Sequence, residues 1–220
     1  TDEQLLKLPP GVEQRHFNDV SPPLIGATLK QYQVQQPYVL SVGRLIERKG
    51  FDLLIEAFAQ LDQVKHGDHQ LVIVGDGPEL EHLQQVAEEE FVNTSVHILT
   101  DVPDKHLPAL YAGAEVFALT PRQLPGDIEG FGIVYLEAAA HGVPSIGTKT
   151  GGVPEAVLDG ETGLVVPPDD VSAVTEALDK LLGDRALKAP LGAAAKRRAE
   201  TFTWENQAAL AKDALQDVVS

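Results

Sequence analysis

The chain reads as an α/β protein: a doubly wound, Rossmann-like parallel sheet of about six strands with helices on both faces. Three observations predict it. Short, continuously apolar runs recur along the chain, as strands buried on both faces require. Each is followed by an amphipathic or capped helical stretch. The links between them are short and carry Gly, Pro and Asp, the residues that turn a chain.

Taken in order, residues 1–37 read as an irregular entering segment, with Leu8-Pro9-Pro10-Gly11-Val12 extended and Pro22-Pro23 interrupting the chain before the first strand. A core domain over 38–200 comes next. Its first strand is Tyr38–Val42 and its first helix runs from Phe51 to Phe58. Leu71–Val74 is the second strand, with a helix over Glu79–Glu90. Val96–Leu99 is the third, and Asp104 is expected to cap a helix through Tyr111. Glu115–Leu119, Val143–Ile146 and Gly163–Val166 complete the sheet. Asp169 or Asp170 starts a helix to Leu182, and two more helices fill 184–198 and 204–219, the last within a separate terminal segment, 201–220. In such a sheet every strand-to-helix loop emerges at one edge, where ligands bind at the topological switch point.

Composition narrows the partners. Of 220 residues 43 % are apolar, enough for a core, and 33 acids against 17 Lys and Arg give a net charge of −16. Nucleic acid is a poor partner for such a surface, because no basic stripe is present to neutralise phosphates. Cys is absent, which removes disulfides and thiol chemistry. No apolar run reaches the length of a membrane span, and Thr1-Asp2-Glu3-Gln4 does not resemble a signal peptide. The missing initiator Met suggests a processed or excised piece.

Chemistry is expected in two loops. Glu129-Gly130-Phe131-Gly132-Ile133-Val134-Tyr135-Leu136-Glu137 comes after a buried strand and opens a helix. Its glycines admit another molecule to the backbone, and free N–H groups at a helix start favour an anion. Glu129 beside that positive end could be no more than a dipole-stabilised acid, worth ~0.3–1 kcal/mol. Glu137 lies in an otherwise apolar helix, where a carboxylate needs a partner; the vicinal hydroxyls of a ribose would supply two hydrogen bonds. The other loop, Gly43-Arg44-Leu45-Ile46-Glu47-Arg48-Lys49-Gly50, gathers three cations, of which Arg44 and Lys49 can both reach one diphosphate. On its own it would more often be a solvated turn salt-bridged to Glu47. The shared sheet edge favours the anion site.

Other motifs read as structural. Gly75-Asp76-Gly77-Pro78 is a packing turn, and Glu88-Glu89-Glu90 a solvated face. His66 and His69 are expected in an exposed loop and His141 at a helix C-terminus. There is no H-E-x-x-H, no Asp-x-Asp pair and no G-x-S-x-G around Ser41 or Ser145, so no metal is expected and hydrolase chemistry is excluded.

Several motifs in sequence share a family resemblance: V-G-R-x4-K-G from Val42, V-G-D-G-P-E from Val74, E-x7-E enclosing G-F-G from Glu129, G-G-V-P-E from Gly151, and E-T-G-L-V from Glu161. They resemble the C-terminal, nucleotide-sugar-binding domain of retaining glycosyltransferases of family four, over a span from Pro9-Pro10-Gly11-Val12 to Phe202-Thr203-Trp204. The spelling from Gly126 to Glu137 is closest to GDP-mannose-using members that mannosylate phosphatidylinositol lipids. The resemblance implies one half of a two-domain GT-B enzyme that transfers a hexose, mannose or glucose, without a metal or other cofactor. It implies that Arg44 and Lys49 meet the leaving diphosphate, with Gly43 beside them. Amides of Gly130, Phe131, Gly132 and Ile133 would meet the phosphate or sugar, Glu129 the sugar hydroxyls and Glu137 the ribose. Backbone near Val102, with Asp104 close by, would read the base; Thr100 stands where relatives often have Gly. The implied partners are a nucleoside diphosphate sugar and an N-terminal acceptor domain. The implied setting is cytoplasmic, with membrane contact through that other domain. A GT-B-like sugar-nucleotide epimerase and a non-catalytic nucleotide-binding module are the competing readings; a dinucleotide-dependent oxidoreductase lacks its G-x-G-x-x-G.

Overall fold

The computed structural model describes residues 8–219, so residues 1–7 of the expected entering segment and Ser220 of the terminal segment lie outside it. Six strands form one all-parallel sheet: β1 (Tyr38–Val42), β2 (Gln70–Val74), β3 (Val96–Leu99), β4 (Val116–Ala118), β5 (Ser145–Thr148) and β6 (Gly163–Val166). Their spatial order is β3-β2-β1-β4-β5-β6. The chain grows outward from β1 in one direction, then returns to β4 and grows the other way. The switch point therefore lies between β1 and β4. β1 is buried along its whole length, with Tyr38↔Gln70 through Val42↔Val74 in register on one side and Val39↔Val116 on the other. That is why its sequence, Ser41 apart, is apolar rather than alternating.

Two helical layers cover the sheet. In one, α2 (Phe51–Ala59), α4 (Leu80–Glu89) and α8 (Val171–Gly183) pack together. In the other, α1 (Pro22–Gln31) meets α5 (Leu107–Gly113), and α6 (Ile133–Ala140) meets α5 and α9 (Arg185–Ala199). Short helices α3 (Gln63–His66) and α7 (Val153–Ala156) lie in connections where none was expected, and α10 (Trp204–Val219) closes the chain. Asp62, Asp170 and Asp184 cap α3, α8 and α9 by accepting from Val64, Ala173 and Leu187 amides.

Several expectations need correction. Pro22-Pro23 does not interrupt the chain; it opens α1, because Pro is preset for the first helical turn and its missing N–H is not needed there. Leu29 and Val34 join the main core, so residues 22–34 belong to the folded body. Asp104 makes no helix cap: a 3-10 turn, Asp104–His106, precedes α5. β5 starts two residues late, at Ser145, since Pro144 offers the ladder no donor. His66 and His69 are not exposed: His66 is buried with Nε2 2.9 Å from Asp179, and His69 is half-buried with Nε2 3.2 Å from Glu115. Each ring gains a carboxylate from a distant element, which local spacing does not reveal. The Gly75–Pro78 turn is a packing turn, as its residues suggest, with Leu45 N–H donating to the Asp76 carbonyl at 2.9 Å.

Three loops at the C-terminal edge are locked by backbone contacts that only glycine permits. Gly50 (φ +64°) lies so close to the Thr120 carbonyl that a Cβ would sit 2.1 Å from its oxygen, and Thr120 Oγ1 donates to the Gly50 carbonyl at 2.6 Å. Gly151 (φ +47°) lies under the Glu129 carbonyl, 1.9 Å from where its Cβ would be. Its neighbour Gly152 donates to the Gly130 carbonyl at 2.7 Å. Gly50→Ala should therefore lower unfolding stability by ~2–4 kcal/mol, from a left-handed penalty plus overpacking. Gly26→Ala, inside α1 with open space around it, should raise stability by ~0.4–1 kcal/mol. Urea denaturation of both variants checks the contrast.

Candidate functional site

The loop after β1 ends in a 3-10 turn, Glu47–Lys49, that aims two cations across the switch point at the loop after β4. Their target is Glu129, whose side chain is only 7 % exposed. Lys49 Nζ stands 2.8 Å from Glu129 Oε2, and Arg48 Nη1 donates to the same oxygen. Arg48 Nε also pairs with Asp127 Oδ1 at 2.7 Å, without the alignment of a hydrogen bond. Behind them Arg122 ties the β4 loop to both neighbours. Its Nη1 donates to Asp52 at 2.7 Å, its Nε to Asp169 at 3.1 Å, and its amide to the Arg48 carbonyl at 2.8 Å. Arg44 is exposed and, among the described residues, has no ion-pair or hydrogen-bond partner for its side chain. One cation on this rim is thus free, one shares a carboxylate, and Arg48 is committed to two.

Glu129 leads directly into α6. Gly132 takes φ +75° to start the helix, and no side chain caps its first amides. Tyr135 anchors this end from inside: its buried hydroxyl donates to the Leu119 carbonyl at 2.7 Å, and burial, then nearby Glu129, hold the phenol well above its usual range. Uncapped amides at the positive end of a helix, bordered by Lys49, form an anion-binding arrangement. Gly43 and Gly130 line the same edge, and Ile133 is the first helical residue. Phe131 is half-buried and packs on Phe202, ring centroids 5.6 Å apart, joining the rim to the segment before α10.

Glu137 lies one turn deeper and has found a partner within the fold. Tyr111 of α5 donates its hydroxyl to Glu137 Oε2 at 2.9 Å, while His16 Nε2 stands 3.8 Å from Oε1. Burial raises the Glu137 carboxyl above its usual range, and the Tyr111 hydrogen bond opposes that shift. The side chain keeps 14 % exposure and one oxygen without a hydrogen-bond donor. His141 follows the last residue of α6, where its backbone N–H donates to the Ala138 and Ala139 carbonyls; its ring does not cap the helix but stacks on Tyr111 at 6.0 Å. Val102 is half-buried against the core, and Asp104 is exposed and paired with Arg15 at 3.4 Å. The residue after Thr100, Asp101, takes the left-handed conformation at φ +38°.

The structure thus brings together Lys49, Glu129 and the Gly130–Ile133 turn, with Arg44 extending from the same loop as Lys49. Asp104 and Glu137 are joined through the adjacent residues Arg15 and His16, and Val102 packs on the core two residues before Asp104. Sequence reasoning assigned no role to Arg48, Arg122, Tyr111 or His16. Arg48 was visible as a cation in the right loop; nothing local marks the others. Among the described residues no group of three or more His, Asp and Glu side chains is placed to hold a metal ion, and no helix is long and apolar enough to cross a membrane.

This doubly wound sheet, with a cationic, glycine-lined switch point, has the fold of one half of a GT-B glycosyltransferase. The chain matches the family model for glycosyl transferases group 1 over residues 30–198, and it belongs to that family. It is 41 % identical over 206 residues to the GDP-mannose-dependent alpha-(1-6)-phosphatidylinositol monomannoside mannosyltransferase of Mycolicibacterium smegmatis, covering 92 % of this chain and 53 % of that one. It is 38 % identical over 174 residues to the D-inositol 3-phosphate glycosyltransferase of Corynebacterium jeikeium, covering 76 % of this chain and 40 % of the relative. Sucrose-phosphate synthase from Thermosynechococcus elongatus shares the fold at a TM-score of 0.80 and 28 % identity, over 96 % of this chain and 52 % of that structure. The chain spans about half the length of the curated relatives it matches.

The cluster below the rim sets a pH dependence. Burial, then His141, then Arg15 lower the His16 imidazole to about 4, and burial with Lys196 lowers His141 to about 4. Folding keeps both rings neutral while the unfolded chain takes up protons near 6.5. Their stabilisation is present above 6.5 and is lost as pH falls toward 4, on the order of 3 kcal/mol for the fully buried His16. In urea titrations between pH 7.5 and 4.5, His16→Gln should flatten the decline relative to wild type; an unchanged slope would contradict this assignment.

Proposed function

We propose that this chain is the donor-binding half of a retaining hexosyltransferase, holding a nucleoside diphosphate sugar at the rim between β1 and β4. The observation that carries the reading is the meeting of Lys49 and Glu129, 2.8 Å apart, at the uncapped start of α6. A diphosphate entering there is offered amide hydrogens, the unpaired Arg44 and a lysine held by a single carboxylate. Charge that develops on the departing phosphate is then stabilised by groups already in place, which is how preorganised cations and amides lower a barrier. In this reading those cations do the work of a metal, and none is required.

Glu129 has a second duty. As Lys49 turns toward phosphate, Arg48 keeps Oε2 and holds the carboxylate in position, while Oε1, which neither cation takes, faces the hydroxyls of the sugar. Glu137, with Oε2 fixed by Tyr111 and Oε1 open, suits the ribose hydroxyls. Val102 and Asp104 border the base. The relatives named for GDP-mannose support mannose on guanosine diphosphate as the donor, and an N-terminal acceptor domain as the missing half. A cytoplasmic setting is inferred from the same likeness. By itself the chain should bind donor without turning it over at a useful rate.

Calorimetric titration with GDP, UDP and ADP, with and without magnesium, tests this. Binding should occur without magnesium. Arg44→Ala and Lys49→Ala should each weaken it by ~1.5–3 kcal/mol through loss of a charge-assisted contact. Unchanged affinity in both variants would falsify the phosphate assignment, and turnover by the isolated chain would overturn the division of labour.

A further inference from the structure

The segment that enters the domain touches both acids placed beside the nucleoside. Val12 N–H donates to the Phe202 carbonyl at 2.7 Å and bridges Thr203, while Gly11 packs so tightly on Trp204 that a Cβ would meet it at 2.7 Å. Pinned there, the chain turns through a 3-10 helix, Gln14–Phe17, and delivers two adjacent side chains. Arg15 pairs with Asp104 at 3.4 Å and with Glu13 at 3.1 Å. His16, 0 % exposed, faces Glu137 Oε1 at 3.8 Å, and its Nε2 accepts from Arg15 Nε at 3.4 Å. The ring is wedged edge-on between Tyr111 and His141, 5.5 and 5.7 Å away, and its Nδ1 has no partner.

We propose that Arg15 and His16 are positioning residues for the nucleoside: they fix the plane of the Glu137 carboxylate and the place of Asp104, and so set the preference for ribose. This rests on the reading of Glu137 as the ribose ligand. A glutamate's last torsion is broad and twofold, so one hydrogen bond from Tyr111 leaves its other oxygen free to swing. Vicinal hydroxyls need both oxygens presented in one plane. His16 closes the space into which Oε1 would rotate, and Arg15 holds His16 from the outer side. The preference would thus be decided partly by a residue outside the sheet edge.

Calorimetric titration of the whole chain with GDP, 2′-deoxy-GDP and inorganic pyrophosphate decides the matter. Wild type should prefer the ribo over the deoxy nucleotide by about tenfold, one good hydrogen bond to a charged group. His16→Ala should bring the two within about twofold while pyrophosphate affinity stays within about twofold of wild type, and His16→Gln should restore most of the preference. Arg15→Ala, at a half-exposed position, should cut the preference about threefold even if His16→Ala does not fold. Retained preference in Arg15→Ala, or equal weakening of all three probes in His16→Ala, would overturn the proposal. A wild-type chain that binds no nucleotide would instead overturn the donor-site reading beneath it, and one that binds without ribose preference would remove Glu137 from its role.

Discussion

Glu129 is a carboxylate buried at the rim of a chain whose net charge is −16, and two cations from another loop keep it there. Burying a charge without a partner is prohibitive, and removing one partner of a buried pair costs about 3–5 kcal/mol. The β1 and β4 loops are therefore bound to each other by the same groups that are proposed to meet a ligand. Arg48 answers Glu129 and Asp127 together, while Lys49 has only its share of one oxygen. That inequality makes Arg48 the more firmly held of the two cations, and it is why Lys49 is the one proposed to meet a phosphate.

The pairing is possible because the loops approach closely along the backbone. Gly50 against Thr120, and Gly151 and Gly152 against Glu129 and Gly130, join the connections after β1, β4 and β5 into one surface. Arg122, reaching Asp52 and Asp169, repeats that tie with side chains. A rim built this way gives up little order when a ligand binds, because its donors are placed in advance. Arg44, exposed and without a side-chain partner among the described residues, is the exception.

Glu137 is satisfied differently. An acid in an apolar helix suggests an external partner, and the fold supplies an internal one in Tyr111. Only one oxygen is satisfied that way. Burial raises the carboxyl above its usual range, and the environment around it is a compact group of aromatic and imidazole rings rather than water. The group lies where the entering segment, α5 and α6 converge, so the position of the first few described residues bears directly on Glu137.

The sequence by itself determined the fold class, six strands nearly in place, and the two loops that meet at the switch point. It could do so because strand burial, helix periodicity and turn chemistry are written within a few residues of one another. It also marked Lys49, Glu129 and the Gly130–Gly132 turn, whose residue types carry their chemistry locally. Only the tertiary structure decided that Arg48 answers Glu129 rather than Glu47, that Pro22-Pro23 begins a helix, and that His66, buried, and His69, half-buried, pair with Asp179 and Glu115. It alone joined Tyr111 and His16 to Glu137, from distant parts of the chain. The physical reason is common to these cases: a charged side chain takes the best partner in space, and sequence records only its neighbours in the chain.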